Sequence, residues 1–123
     1  MTGWIGDIER ATLDNDTFRT VLFTGTHLQL TVMSIEPGGE IGEETHEGHD
    51  QFLRVEGGRA RVVLGDEEQD VEDDWAIIVP SGVRHNVVNT GEAPLKVYSL
   101  YAPPAHPDGT VHRTKAEADA AES

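Results

Sequence analysis

Short apolar or alternating runs, separated by turn-forming residues, fill the sequence from Phe18 to Ala102. Glycine, proline, aspartate or asparagine interrupts these runs roughly every 7 to 12 residues, in segments such as EPGGE, LGDEE, PSG and NTGEAP. Each run is too short for a helix of useful length, and alternation is the pattern of a half-buried strand. The sequence therefore predicts an all-β barrel or sandwich and argues against a parallel sheet built from strand-helix-strand units.

The predicted strands are nine short segments. They are Arg19 to Thr24, Leu28 to Ile35, Glu43 to His46, Gln51 to Glu56, Arg59 to Leu64, Gln69 to Val71, Ala76 to Val79, His85 to Asn89 and Leu95 to Tyr101. No repeat or linker divides the 123 residues, so one domain is expected. Residues 1–27 should add a strand or a short helix to the barrel, residues 28–102 should form the barrel, and residues 103–123 an arm and a flexible tail.

Charge and cysteine content exclude several classes of function. With 23 acidic and 9 basic residues, the formal net charge is -14, which disfavours nucleic acid and anionic membranes as partners. The absence of cysteine excludes disulfides, a thiolate nucleophile and cysteine-bound zinc. The sequence has neither a long apolar run nor a basic leader at its start, so we expect a soluble, cytoplasmic protein.

Metal-binding side chains are concentrated in two segments, PGGEIGEETHEGHDQFLRVEGG and PSGVRHNVVN. Glu44 and His46 are two residues apart, so on a strand both point to the same face. Gln51 follows after a short turn and is expected on the adjacent antiparallel strand, while His85 begins a later strand. One carboxylate, two imidazoles and an amide oxygen are thereby predicted to converge inside the barrel.

These two segments resemble the motifs of the cupin family. Its first motif, GX(5)HXHX(3,4)EX(6)G, has the spacing of Gly38, Glu44, His46, Gln51 and Gly58. Its second motif, GX(5)PXGX(2)HX(3)N, matches at the four positions that follow its opening glycine. Those positions are Pro80, Gly82, His85 and Asn89. The resemblance covers roughly residues 28–102 and implies a single jelly-roll β-barrel.

Three residues depart from the family pattern: Glu44 replaces the first histidine, Gln51 replaces the glutamate and Asp74 replaces a glycine. The first two changes exchange a carboxylate and a neutral ligand, so one anionic ligand remains. The resemblance thus implies one divalent ion held by Glu44, His46, Gln51 and His85, and the donor types permit Fe, Mn, Ni, Co or Zn. Asp74 is compatible with a tight turn.

Three other histidines leave alternatives open. His49 is an alternative metal ligand if the turn before Gln51 folds it back, and otherwise a turn residue at the barrel mouth. His106 and His112 flank a Pro-Asp-Gly turn in an arm that either closes the barrel mouth or braces the barrel. The prolines of the arm favour bracing.

For function, the resemblance implies a metal-dependent enzyme that acts on a small oxygenated molecule. Candidate reactions are dioxygenation of a small enol or diketone, with Glu44 as a candidate catalytic base, and isomerisation of a sugar. The alternative is a module that binds a small molecule without turnover. We also expect a homodimer, formed through outward-facing Phe52, Val62 and Leu64.

Overall fold

The computed structural model describes residues 2–122, without the side chain of Glu122; Met1 and Ser123, the outermost residues of the two predicted end segments, lie outside it. Two helices flank nine strands. In chain order the elements are α1 (Ile8–Asp14), β1 (Arg19–Thr24), β2 (Gln29–Ile35), β3 (Asp50–Gly57), β4 (Arg59–Leu64), β5 (Glu67–Glu72), β6 (Ala76–Val79), β7 (His85–Asn89), β8 (Leu95–Ala102), β9 (Val111–His112) and α2 (Lys115–Glu122).

The strands form two antiparallel sheets. The larger has six strands in the order β6-β3-β8-β2-β1-β9, and the smaller has three in the order β5-β4-β7. Sequence neighbours are often not sheet neighbours, which is the connectivity of a jelly roll. The predicted all-β jelly-roll fold is confirmed, although its strands lie in two separate sheets and are not closed into one barrel.

Alternate residues of both sheets point inward and form one apolar core. Leu53 and Val55 of β3, and Leu95 and Val97 of β8, have 1% or less of their surface exposed. Ala60 and Val62 of β4 and Val87 of β7 contribute to the same core from the smaller sheet. Val62 was predicted to face outward; it faces inward, and Leu64 packs partly buried against the core. The side chains of β4 at these positions therefore point to the inner face of the sheet, not to the outer face that was expected.

A long connection between β2 and β3 runs beside β7 and extends the smaller sheet. Single bridges join Glu40 to Val88 and Glu44 to His85, and the N–H of Ile41 donates to the carbonyl of Val87. The predicted strand Glu43 to His46 is reduced to the Glu44 bridge, and its expected pairing with the Gln51 strand is wrong. β3 pairs with β6 and β8 instead, because the turn before it crosses from one sheet to the other.

The segments at the two ends close the fold. Asp7 caps α1 by accepting a hydrogen bond from the N–H of Arg10, and the helix packs against β8, β3 and β2. The C-terminal arm returns to the larger sheet as β9, which pairs with β1, and Ala118 of α2 is buried in the core. Within residues 2–122, neither helix has the length and apolar character needed to cross a bilayer.

Asp74 adopts the backbone conformation for which the motif uses glycine. Its φ is 74°, the one positive φ among the described residues other than glycine, and aspartate tolerates this region better than most side chains. The carboxylate then accepts a hydrogen bond from Arg54 at 3.0 Å. The departure from the motif at this position is thus explained by turn geometry.

Candidate metal centre

Glu44 and His85 face each other across a pair of backbone hydrogen bonds. The N–H of each residue donates to the carbonyl of the other at 2.9 Å. Directly opposed residues of an antiparallel pair place their side chains on the same face. The long connection after β2 thereby brings a carboxylate from the first motif beside an imidazole from the second.

His46 completes a cluster of three donors with these two residues. One ligand atom from each of Glu44, His46 and His85 lies within 4.8 Å of the others, and His46 Nε2 directly contacts a carboxylate oxygen of Glu44. The side chain of His46 is 38% exposed and that of Glu44 21%, whereas the whole of His85 is only 4% exposed. The cluster is therefore anchored in the interior and keeps one side open to an incoming molecule.

The orientation of His85 leaves a free lone pair for a metal. Its Nδ1 lies 2.9 Å from the carbonyl oxygen of Val83. A carbonyl can only accept, so Nδ1 carries the proton and Nε2 presents its lone pair. Backbone carbonyls commonly hold metal-binding imidazoles in this way.

A turn of the second motif fixes the backbone next to His46. Gly82 donates its N–H to the carbonyl of His46 at 2.7 Å, and its φ of 84° is one that glycine adopts readily. Ser81 accepts a hydrogen bond from the N–H of Gly48 and donates its own N–H to Asp50. The two motifs are thus tied together at the open end of the jelly roll.

Gln51 lies on the inner face of β3 at the same end. It is 6% exposed, and its amide Nε2 donates to the hydroxyl of Tyr101, 3.2 Å away on the neighbouring strand β8. Its position on the inner face agrees with the sequence prediction.

His49 lies beside the three-donor cluster. Its ring centroid is 5.1 Å from that of His46 and 5.5 Å from that of Tyr101. Its Nε2 is buried and has no hydrogen-bond partner among the described residues. Burial, followed by the electrostatic influence of the neighbouring His46 and His85, lowers the pKa of His49 and so favours a neutral ring.

Asn89, the last position of the second motif, has a structural role. Its side-chain Nδ2 donates to the carbonyls of Ile35 and Ala93, and its Oδ1 accepts from the N–H of Gly91. With 1% of its surface exposed, it locks the turn between β7 and β8. All its partners are backbone groups, which separates it from the donor cluster.

The C-terminal arm is held over the inner face by Gln29, a contact that the sequence pattern does not predict. Gln29, fully buried on β2, accepts from the N–H groups of Ala105 and His106 and donates to the carbonyl of His106 at 2.7 Å. The His106 ring meets the Tyr101 ring edge-on at 5.1 Å. The only hint in the sequence was a glutamine in phase with inward-facing Thr31 and Met33.

The donor set fits a divalent first-row metal. It combines one carboxylate with two imidazoles, and these ligand types suit Fe, Mn, Co, Ni and Zn. A buried, properly oriented imidazole and a single anionic ligand are features of working metal sites.

Comparison with known proteins gives the same family as the resemblance of the two motifs. The sequence matches the Cupin domain family over residues 31–101. It is 54% identical over 125 residues to the uncharacterized protein YrkC of Bacillus subtilis (strain 168), covering 97% of this chain and 67% of that protein. It is 32% identical over 112 residues to the uncharacterized protein L612 of Acanthamoeba polyphaga mimivirus, covering 88% and 70% of the two chains.

A solved crystal structure superposes on nearly the whole of this chain. The crystal structure of BH2720 from Bacillus halodurans superposes with a TM-score of 0.94 at 53% identity and covers 95% of this chain and 93% of that one. The family match extends over more than half of the sequence and includes both motifs. The resemblance predicted from those motifs is therefore confirmed, and the chain belongs to the cupin family.

Proposed function

We propose that this chain is a metal-dependent enzyme that acts on a small oxygenated organic molecule in a dioxygenase-like reaction. The observation that carries the proposal is the convergence of one carboxylate and two imidazoles, from Glu44, His46 and His85, within 4.8 Å. The cluster has an interior anchor and an accessible side, as a catalytic metal site needs, because a substrate has to reach an open coordination position.

Gln51 is the proposed fourth ligand. Its Nε2 is engaged by the hydroxyl of Tyr101, which orients the amide and leaves the carbonyl oxygen as the donor. His49 is the alternative, because its Nε2 is buried with no hydrogen-bond partner in the described part of the chain, and its ring already contacts that of His46. Either choice gives a site with a single anionic ligand.

The residues around the metal would hold the substrate and move its proton. A bound metal supplies Lewis acidity or one-electron chemistry. Glu44, 21% exposed and next to His46, is positioned to accept a proton from an enolisable substrate. Tyr101 and His106 line the interior beside this cluster, where they limit the access of water.

An oxygen-uptake measurement tests this function. Untagged protein is loaded anaerobically with Fe²⁺ and mixed with dioxygen and one of two enolisable probes, neutral pentane-2,4-dione or anionic acetoacetate. We expect uptake of one O₂ per probe molecule cleaved, with both oxygen atoms recovered in the products, and loss of uptake in His85→Ala. His27→Ala, an exposed histidine far from the motifs in sequence, is the matched control.

Other outcomes would point to the other two functions. Saturable binding of a probe without consumption would contradict turnover and favour a binding module. Interconversion of an aldose and a ketose without dioxygen would favour a sugar isomerase. The metal content of the same preparation shows whether a lack of oxygen uptake means that the proposed function is wrong or that the protein has lost its metal.

We also propose that two copies pair through the outer face of the larger sheet. Five apolar residues lie directly opposite one another across neighbouring strands and form what we call the apolar row: Phe23, Leu30, Leu100, Phe52 and Ile78. Ile78 is 63% exposed, while α1 packs elsewhere against β8, β3 and β2. A continuous apolar stripe of this kind is typical of an interface.

Sedimentation equilibrium tests the dimer. At about 150 mM salt, where repulsion between two chains of charge -14 is screened, we expect a mass twice that of the 13.4 kDa chain. Ile78→Glu should give a monomer, because it places a charge within the apolar row, at its most exposed residue, and Ile5→Glu should leave the dimer intact. A monomeric wild-type protein under these conditions would refute the proposal.

A further inference from the structure

Arg19 is a buried arginine without an acidic partner. It is 3% exposed, and no ion pair among residues 2–122 includes it. Every other arginine is either paired with a carboxylate or exposed: Arg10, Arg54, Arg61 and Arg84 are paired, and Arg59 and Arg113 are exposed. In a chain with 23 acidic residues, a buried guanidinium that pairs with no carboxylate of the described residues is unexpected and suggests that its partner is a ligand.

Few neighbouring groups compensate the positive charge of the Arg19 guanidinium. Its Nη1 lies 3.4 Å from Nδ1 of His112, and its carbon lies 5.4 Å from the ring centroid of Phe18. Its Nε is buried and has no hydrogen-bond partner among the described residues. A buried charge in this condition is unfavourable, so a ligand that pairs with it binds more tightly for that reason.

Arg19 lies on the inner face of the larger sheet, on the side of the site. It alternates with buried Val21, which is directly opposite Thr31, and Thr31 is directly opposite Ser99. The hydroxyls of Thr31 and Ser99 are fully buried and also have no hydrogen-bond partner among the described residues.

Unsatisfied buried polar atoms are concentrated in this region. The described residues contain seven such atoms, and two of them, in Arg54 and Glu56, form an ion pair with each other at 3.0 Å. The other five lie on the inner face of the larger sheet, in the turn before β3, or in the arm: Arg19 Nε, Thr31 Oγ1, His49 Nε2, Ser99 Oγ and His106 Nε2. Buried polar groups are normally satisfied, so a group of five indicates a missing partner.

A continuous series of aromatic contacts joins this region to the donor cluster. The ring of His46 contacts His49, His49 contacts Tyr101, and Tyr101 contacts His106, with successive centroids 5.1, 5.5 and 5.1 Å apart. Burial, then the electrostatic influence of the nearby Arg19 and His112, lowers the pKa of His106 to about 4. His106 is thus neutral at pH 7 and adds a hydrogen-bonding nitrogen without a second charge.

We propose that Arg19, Thr31, Ser99 and His106 form a carboxylate-binding recess, and that the substrate of the adjacent metal centre is a small organic acid. This inference rests on the proposed function for its metal-bound end and deepens it by naming the substrate class. The planar guanidinium matches a carboxylate, the two hydroxyls are neutral donors, and one buried positive charge is balanced by one negative charge. The opposite end of the acid, a carbonyl or hydroxyl oxygen, then faces the metal.

Thermal unfolding of the metal-free protein tests the recess independently of the metal centre. Acetoacetate and malonate are compared with their neutral amides, acetoacetamide and malonamide, at equal ionic strength. At about ten times its dissociation constant, a bound carboxylate should raise Tm by roughly 4–8 °C, and the matching amide should have little effect. Arg19→Met should abolish the difference between acid and amide, Arg19→Lys should retain part of it, and Arg59→Met, an exposed arginine, should leave it unchanged.

The proposal fails if neither acid raises Tm in the wild-type protein, or if acid and amide act equally. It also fails if Arg19→Met responds to the acids as the wild type does. An arginine that only braces β9 through His112 would lower Tm when replaced, yet acid and amide would be indistinguishable in the wild-type protein. Should Arg19→Met not fold, the wild-type comparison of acid with amide still decides the matter. Because no metal is present, failure of the proposed metal chemistry leaves this result intact.

Discussion

Replacing His85 with alanine is expected to remove nearly all bound metal from the protein. His85 is the one donor that the second motif supplies to the cluster, and its Nδ1 bond to the carbonyl of Val83 already orients Nε2. Loss of a group that merely orients a ligand costs roughly 10–100-fold in metal affinity, and loss of the ligand itself should cost at least that much. Elemental analysis after gel filtration measures the metal content of each chain.

His27→Ala is the matched control for His85→Ala, because it also removes an imidazole but from an exposed loop. It should retain the metal content of the wild-type protein. The backbone bonds between Glu44 and His85 do not involve the side chain, so His85→Ala should keep its fold, which circular dichroism can verify. Full metal retention in folded His85→Ala would contradict the assignment of this cluster as the metal centre.

Most strands and the positions of the donors were predictable, because both depend on local rules. Alternation along β3 placed Gln51 on the inner face with Leu53 and Val55, and all three are buried. The motif spacing placed Glu44, His46 and His85 together, and their donor atoms converge. Period and spacing are properties that a single sequence records directly.

The pairing of the Glu44 segment was not predictable by the same rules. A short turn suggested a hairpin between Glu44 and Gln51, but the partner of Glu44 is His85, far along the chain. The intervening turn contains Gly48, whose φ is 96°, and it leads the chain from the smaller sheet to the larger. The strand β3 pairs with β6 and β8 and not with the Glu44 segment. This choice depends on the packing of the whole core, which the local pattern of the Glu44 segment does not record.

The roles of Arg19 and Gln29 escaped prediction for a related reason. Arg19 belongs to a strand that is recognisable from its alternation, yet that its Nε lacks a hydrogen-bond partner among residues 2–122 appears only when β9 and the arm are in place. The contact of Gln29 with His106 joins residues 77 positions apart. Such contacts depend on tertiary structure and leave no periodic signal in the sequence.

Replacing Glu44 with glutamine is expected to weaken metal binding more than replacing Gln51 with alanine. The first change removes the single anionic donor of the cluster, and the second removes the neutral ligand that we propose as the fourth. Two unit charges about 4 Å apart at an effective dielectric constant of about 20 attract by ~4 kcal/mol, and each ~1.4 kcal/mol is tenfold in affinity. We therefore expect an increase in metal Kd of about a hundredfold or more for Glu44→Gln and roughly tenfold for Gln51→Ala.

Competition with a chromophoric chelator measures both dissociation constants. Glu43→Gln is the control, since Glu43 is an exposed neighbour paired with Arg84 and its loss should leave the metal Kd unchanged. The double change Glu44→His with Gln51→Glu should restore tight binding, because it returns one anionic ligand to the site in the usual cupin arrangement. Equal small effects of the two single changes would contradict the proposed ligand set. His49 would then become the expected fourth ligand, because its buried Nε2 lies in a ring that contacts His46.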